Sequence, residues 1–126
     1  MVSSFKKLNA WKEAKSVAVK VFNISKEFPK EEIYGFTSQI RRAAFSISNN
    51  ISEGYGYRYI DKRINQFDTA VGSTNEVENM IDIGYELGFI KKKDHDGIND
   101  SLENTRKLLF GLIRSLETQK ENNKSK

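Results

Sequence analysis

The sequence predicts an all-α fold, an antiparallel up-down-up-down four-helix bundle, and three observations carry that prediction. Apolar residues recur at intervals of three and four rather than two, which is the periodicity of a helix and not of a strand. The chain's single proline falls between two apolar helical stretches instead of interrupting one. Four such stretches are joined by short connectors, and consecutive helices joined in that way lie antiparallel. At 126 residues and 37% hydrophobic, the chain has material for one core. That core is expected within residues 1–118, followed by a flexible polar tail over 119–126 that lacks apolar periodicity.

The first helix is predicted from Phe5 to Lys26. Leu8, Trp11, Ala14, Val17, Ala18, Val21, Phe22, Ile24 and Phe28 cover an arc of about 200°, wider than the ~100° needed to pack against one core. Phe28-Pro29 ends it, because proline disfavours helical geometry in the residue before it. Glu31 and Glu32 suit the positive end of a second helix, which continues through Ile33 and Phe36 to a stop at Gly54. The third is expected to start with Asp61 as N-cap and to carry the stripe Ile64, Phe67, Ala70, Val71, Thr74, Val77, Ile81 and Tyr85. Gly72, Ser73 and Gly84 keep it thin enough for a neighbour to approach closely, and Gly88-Phe89-Ile90 closes it. After the connector Lys91-Lys92-Lys93, the fourth begins near Asp94 or Asp96. Its seam of Ile98, Leu102, Thr105, Leu109, Leu112 and Leu116, spaced four and three, is that of an antiparallel bundle.

Composition narrows the chemistry. There is no cysteine, so disulfides and thiolate catalysis are excluded, and a reducing compartment fits. No apolar run approaches the ~20 residues of a membrane span, and no apolar stretch follows Lys6 and Lys7 in the manner of a secretory leader. A soluble cytoplasmic protein is expected, with no membrane partner. Charge is uneven: residues 1–63 hold 12 Lys/Arg against 6 Asp/Glu, and residues 64–126 hold 9 against 11, which together give the net +4. The basic half suits an anionic partner, although a solvated surface accounts for an excess of this size equally well.

The second helix carries the most ordered pattern. Ile40, Ala43, Ala44, Ile47 and Ile51 form its core stripe. Beside them runs a row of Gln39, Arg42, Ser46, Asn50 and Glu53. One reading is a partly buried network in which Arg42 meets Glu53 or Glu76 of a neighbouring helix or subunit. The other is a ligand or phosphate groove, which requires the arginine to be unpaired. Phe45 lies opposite the core stripe, where a monomer exposes it; with Trp11 it is a candidate oligomer contact. In the connector, Tyr55, Tyr57 and Tyr59 alternate with Gly56 and Arg58. They either stack on unpaired bases or cover the end of the bundle.

The run Phe28-Pro29 with Glu32, Tyr34-Gly35, Ser38-Gln39-Ile40-Arg41-Arg42-Ala43-Ala44, Ser46-Ile47, Asn50-Ile51 and Glu53-Gly54, then Ala70, Gly72-Ser73 and Glu76, resembles the bacterial four-helix-bundle proteins. Some of these are encoded by intervening sequences within 23S ribosomal RNA genes. The accessory variability determinant of diversity-generating retroelements belongs to the same superfamily. The similarity runs from about Leu8 to Leu116 and departs from the family pattern in the tyrosine connector, which the family would make more polar. The resemblance implies a homopentameric barrel and, in the retroelement branch, a basic surface that contacts RNA and a reverse transcriptase. A ring built by head-to-tail contacts would also cover the over-wide first helix and Phe45.

An enzyme has little support. The one histidine, His95, stands in a charged helix start and reads as exposed, and the residue three before it is Lys92, so neither a catalytic triad nor a Glu-x-x-His di-iron pair is present. No Gly-rich phosphate loop of the P-loop kind occurs. No metal site and no cofactor are expected. Two non-catalytic functions remain. The first is an oligomeric RNA-binding or nucleoprotein scaffold, with Lys6, Lys7, Lys12, Lys15, Arg41, Arg58, Lys62 and Arg63 as candidate phosphate contacts. The second is a structural oligomer that engages only protein.

Overall fold

Residues 4–124 are described in the computed structural model. Four helices account for most of them: α1 (Asn9–Ser25), α2 (Phe36–Gly56), α3 (Ile60–Glu86) and α4 (Lys92–Lys124). Two short 3-10 turns, Phe5–Lys7 and Lys30–Glu32, precede α1 and α2. Each helix packs on two neighbours, α1 on α2 and α4, α3 on α2 and α4; across the diagonals no two Cα atoms of the described residues come within 8 Å. Cross-helix contacts give the direction. Arg41 reaches Ser25, Phe36 lies against Gly84, Asp82 faces His95 and Asp61 pairs with Lys120. Every adjacent pair is therefore antiparallel, in the up-down-up-down order that the short connectors predict. No helix among the described residues is long and apolar enough to cross a membrane.

The core runs the length of the bundle. Val17, Val21, Ile40, Ile47, Ile51, Val77, Ile81, Ile98, Leu102 and Leu109 are fully or almost fully buried. One end is closed by three phenylalanines, Phe28, Phe36 and Phe89, with centroids 5.6–5.9 Å apart. Two threonines in the core satisfy their hydroxyls locally. Thr74 Oγ1 donates to the Val71 carbonyl at 2.6 Å and Thr105 Oγ1 to the Ser101 carbonyl at 2.8 Å, so neither leaves a buried donor unpaired.

Several boundaries differ from the sequence reading, each for a local reason. The expected helix from Phe5 is broken at Leu8, which is extended (φ −70°, ψ 126°). The turn before it is capped by Ser4, and it sets the Phe5 ring edge-on to Trp11 at 5.2 Å. Glu31 and Glu32 form a separate turn, and α2 starts only after Gly35. Glu32 nevertheless serves the expected end, since its carboxylate accepts from the Phe36 N–H at 3.3 Å. Asp61 is not the N-cap of α3; Tyr59 is, without a side-chain cap bond, and Asp61 instead lies in the first turn, 2.6 Å from Lys120. Helix α4 opens at Lys92, ahead of Asp94, and its helical backbone runs through the polar stretch from Gln119 to Lys124; residues 125–126 of the expected tail lie outside the described residues.

Gly54 is the most instructive difference. It does not stop α2, which continues to Gly56. A Cβ at position 54 would lie 2.7 Å from Phe67 Cε1 and 3.0 Å from Cδ1, so the glycine serves close approach of α3 to α2 and not a turn. The left-handed stop is at Gly88, with φ 79°, where Phe89 and Ile90 fold back to donate to the Gly84 carbonyl. Gly84 is itself buried under Ile90 and Phe36, as its small size suggests. Gly72 meets nothing within 4 Å. A pair of substitutions separates these roles. Gly54→Ala should destabilise by about 1–3 kcal/mol through overpacking against Phe67, whereas Gly72→Ala should stabilise by up to ~1 kcal/mol through helix propensity. Equal shifts in the urea midpoints of the two variants would contradict this.

Candidate nucleic-acid interface

Antiparallel packing gathers the tyrosine connector, the Phe5–Lys7 turn, the start of α3 and the end of α4 at one end of the bundle. The connector is short and held from within. The Tyr57 N–H donates to the Gly54 carbonyl, and Arg63 Nε donates to the carbonyl of Tyr57, from one turn into α3. The tyrosines divide accordingly: Tyr55 and Tyr57 are half-buried, while Tyr59 is 62% exposed. The Arg58 guanidinium sits 5.9 Å from the Tyr59 ring and the Lys62 ammonium 5.8 Å from that of Tyr57. Two of the three rings are thus partly withdrawn from solvent, and one stays available with a cation beside it.

The eight basic candidates do not form one surface. Lys6, Lys7, Arg58 and Lys62 are exposed at the connector end. Arg63 is at the same end, but it is half-buried and spent on the connector. Lys12 and Lys15 line the outer side of α1, where Lys15 lies 5.3 Å from the Trp11 ring. Arg41 lies some 17 residues before Arg58 in a nearly continuous helix, about 25 Å away at 1.5 Å per residue. It stacks on Phe22 at 4.5 Å and donates from Nε to Ser25 Oγ at 2.7 Å.

The polar row on α2 also splits. Ser46 and Ser73 share a hydroxyl–hydroxyl bond of 2.9 Å, Asn50 donates to the Ser46 carbonyl and hydroxyl, and Gln66 donates to Asn50 Oδ1 and, at 2.8 Å, to Glu53. This chain of bonds spans the α2–α3 crossing. Within the chain Arg42 pairs with neither Glu53 nor Glu76: the two serines and Gln66 occupy the crossing, and Arg42, Gln39 and Glu76 are exposed, open to a neighbouring subunit. Arg42 has no ion pair among the described residues, so it meets the condition set for a ligand groove. It lines an open groove of about 660 Å³ with Arg41, Phe45 and Glu53. Of the candidate oligomer contacts, Phe45 is 41% exposed and stacks on Phe22 at 6.4 Å, while Trp11 is half-buried against Phe5.

Three features escaped the sequence reading. Gln66 was not singled out, although it sits two turns before Ser73 on the same face of α3. Arg106 bridges α4 to α3, with bonds to Glu78, Glu103 and Asn75. His95 is not free either: Nδ1 lies 2.8 Å from Asp96, Nε2 lies 2.8 Å from Asp82, and the ring packs 4.8 Å from that of Tyr85. The Asp96 hydrogen bond, then that of Asp82, raises the imidazole above its ordinary value of 6.5. Asp96 is held below the usual carboxylate range by Lys92 and His95. No group of three or more His, Cys, Asp or Glu suited to a metal ion occurs among the described residues.

Residues 6–111 match the model of the 23S rRNA-intervening sequence protein family. The chain belongs to that family. A protein of unknown function from the S23 ribosomal protein family of Bacteroides thetaiotaomicron has the same fold, with a TM-score of 0.77 over 83% of this chain and 95% of that one, at 24% identity. No protein of curated function matches the chain. Within the family fold, the His95 cluster ties the end of α3 to the start of α4, and it predicts a pH dependence of stability. A raised folded pKa means that the His95 contribution is complete below about pH 6.5 and is lost as pH rises through the folded value. The urea midpoint should therefore fall between about pH 6 and about pH 9, and His95→Gln should flatten the fall. Superimposable profiles would show that the cluster does not bind the proton more tightly in the folded state.

Proposed function

We propose that this protein is an oligomeric, non-catalytic RNA-binding scaffold that takes RNA at its connector end. The observation that carries the reading is Tyr59, an exposed ring flanked by Arg58 at the end of the bundle that also holds the exposed Lys6, Lys7 and Lys62. An aromatic face stacks on a base while neighbouring cations contact phosphates, and no base sequence is needed. The end is not uniformly basic. Asp61 is neutralised by Lys120, and Arg63 holds the connector in shape. A non-catalytic role is supported by His95, whose ring nitrogens are both engaged by carboxylates. The resemblance extends the proposal to a homopentamer and, in the retroelement branch, to a reverse transcriptase as a second partner. Exposed Val19, Phe22 and Ile83 support self-association.

The test is anisotropy of a labelled structured RNA titrated with protein between about 50 and 200 mM salt, where phosphate contacts lose affinity steeply. Arg58→Ala with Lys62→Ala should reduce the salt slope by about 2. Tyr59→Ala should weaken binding by about 1–3 kcal/mol with the slope unchanged, because it removes stacking and no charge. Absence of binding at the lowest salt would leave the second reading, an oligomer that engages only protein.

A further inference from the structure

Between Arg63 and Lys91 the chain has no lysine or arginine, but it has five carboxylates: Asp68, Glu76, Glu78, Asp82 and Glu86. All five are on α3. Glu78 is engaged by Arg106 and Asp82 by His95. Asp68, Glu76 and Glu86 are exposed and have no ion pair among the described residues. They share the outer side of α3 with Ile83, 44% exposed, and with Gly72, whose missing Cβ faces open space. A glycine inside a long helix weakens it, and no packing within the chain requires one at position 72. An outside surface that comes close to the α3 backbone would use it.

The outer side of α1 has the opposite character. Lys12, Lys15 and, at its C-cap, Lys26 are exposed without carboxylate partners among the described residues, alongside Val19, 52% exposed, and Phe22. Glu13, the helix's own carboxylate, is half-buried. The two faces are of similar length: 14 residues from Lys12 to Lys26 and 18 from Asp68 to Glu86 correspond to about 21 and 27 Å. They also lie on helices that are diagonal in the bundle, with no Cα–Cα approach within 8 Å, so they look out in opposite directions.

We infer that the α1 face of one copy docks on the α3 face of the next, lysines against Asp68, Glu76 and Glu86, with Val19 and Phe22 set over Gly72 and Ile83. The inference rests on the proposed self-association and adds which surfaces meet. Faces that differ and point apart form a heterologous contact, which closes into a ring or runs on as a filament. An axis along the bundle keeps α1 and α3 of adjacent copies parallel. This assigns Lys12 and Lys15 to assembly and leaves the connector end free for RNA.

Mass by light scattering tests it with three full-length proteins at low salt: wild type, Lys12→Glu/Lys15→Glu, and Asp68→Lys/Glu76→Lys. Wild type should be oligomeric, and each variant alone should fall to the 14.5 kDa of a single chain. An equal mixture of the two variants should regain mass as species in which the two chains alternate, open or even-numbered, because a reversed face meets its opposite only on the other variant. All four positions are exposed, and helicity by circular dichroism checks the fold; if one variant unfolds, Lys26→Glu and Glu86→Lys repeat the experiment. Wild type that is monomeric throughout would overturn the self-association reading itself. An oligomeric wild type with variants of unchanged mass, or variants that stay monomeric on mixing, would overturn this pairing of faces alone. So would loss of RNA affinity in Lys12→Glu/Lys15→Glu with its mass unchanged.

Discussion

The close approach of α2 and α3 is the constraint on which the rest of the molecule depends. It is made by small residues at the crossing, Gly54 under Phe67 and Ser46 against Ser73. Close backbones leave no room for large apolar side chains, so the seam carries hydroxyls and amides, and these must be paired if they are to be withdrawn from water. The Ser73, Ser46, Asn50, Gln66 and Glu53 chain pairs them. Because Gly54 continues the helix, α2 reaches Gly56 and leaves only three residues to cross to α3. So short a connector can be held by one side chain, and Arg63 holds it. The exposure of Tyr59 is thus a downstream consequence of the seam.

A net charge of +4 hides a segregation. Lysines dominate the outside of α1, and carboxylates alone occupy α3 beyond Arg63. Isolated surface charges add little to stability, so such an arrangement does little for the fold itself. It matters between molecules, where opposed faces select partners and orientation. Cations at the connector end and cations along α1 are also unlike in setting. The former surround an exposed aromatic ring; the latter flank aliphatic and aromatic surface on a straight helix.

The four helices, their order and their buried stripes were legible because helical periodicity is written directly in the positions of apolar residues. Helix ends were less so. Gly54 and Gly88 are the same residue type, but one is a contact and the other a turn, and only the packing of Phe67 distinguishes them. Asp61 has the chemistry of an N-cap, yet the turn held by Arg63 starts α3 before it. Most of the candidate site was legible as residue types and not as geometry. The row from Ser46 to Glu53 is hydrogen-bonded through partners on α3, Ser73 and Gln66, at positions set by the α2–α3 register. That register does not appear in either helix alone. His95 looked exposed because its neighbours in sequence are charged, whereas its environment is made by Asp82 and Tyr85 from another helix.

The arginines show why residue type does not settle role. Arg106 has a side chain only 19% exposed and is surrounded by Glu78, Glu103 and Asn75; withdrawn from water, a guanidinium needs acceptors on most of its N–H groups. Arg63 and Arg41 are intermediate, each half-buried and each committed through Nε to a nearby oxygen. Arg42 and Arg58 are exposed, keep their hydration and need no carboxylate. An arginine that folding leaves solvated has its donors still available to an anion. By that criterion Arg58, beside Tyr59, is equipped to bind, and Arg63, five residues on, is equipped to hold it in place.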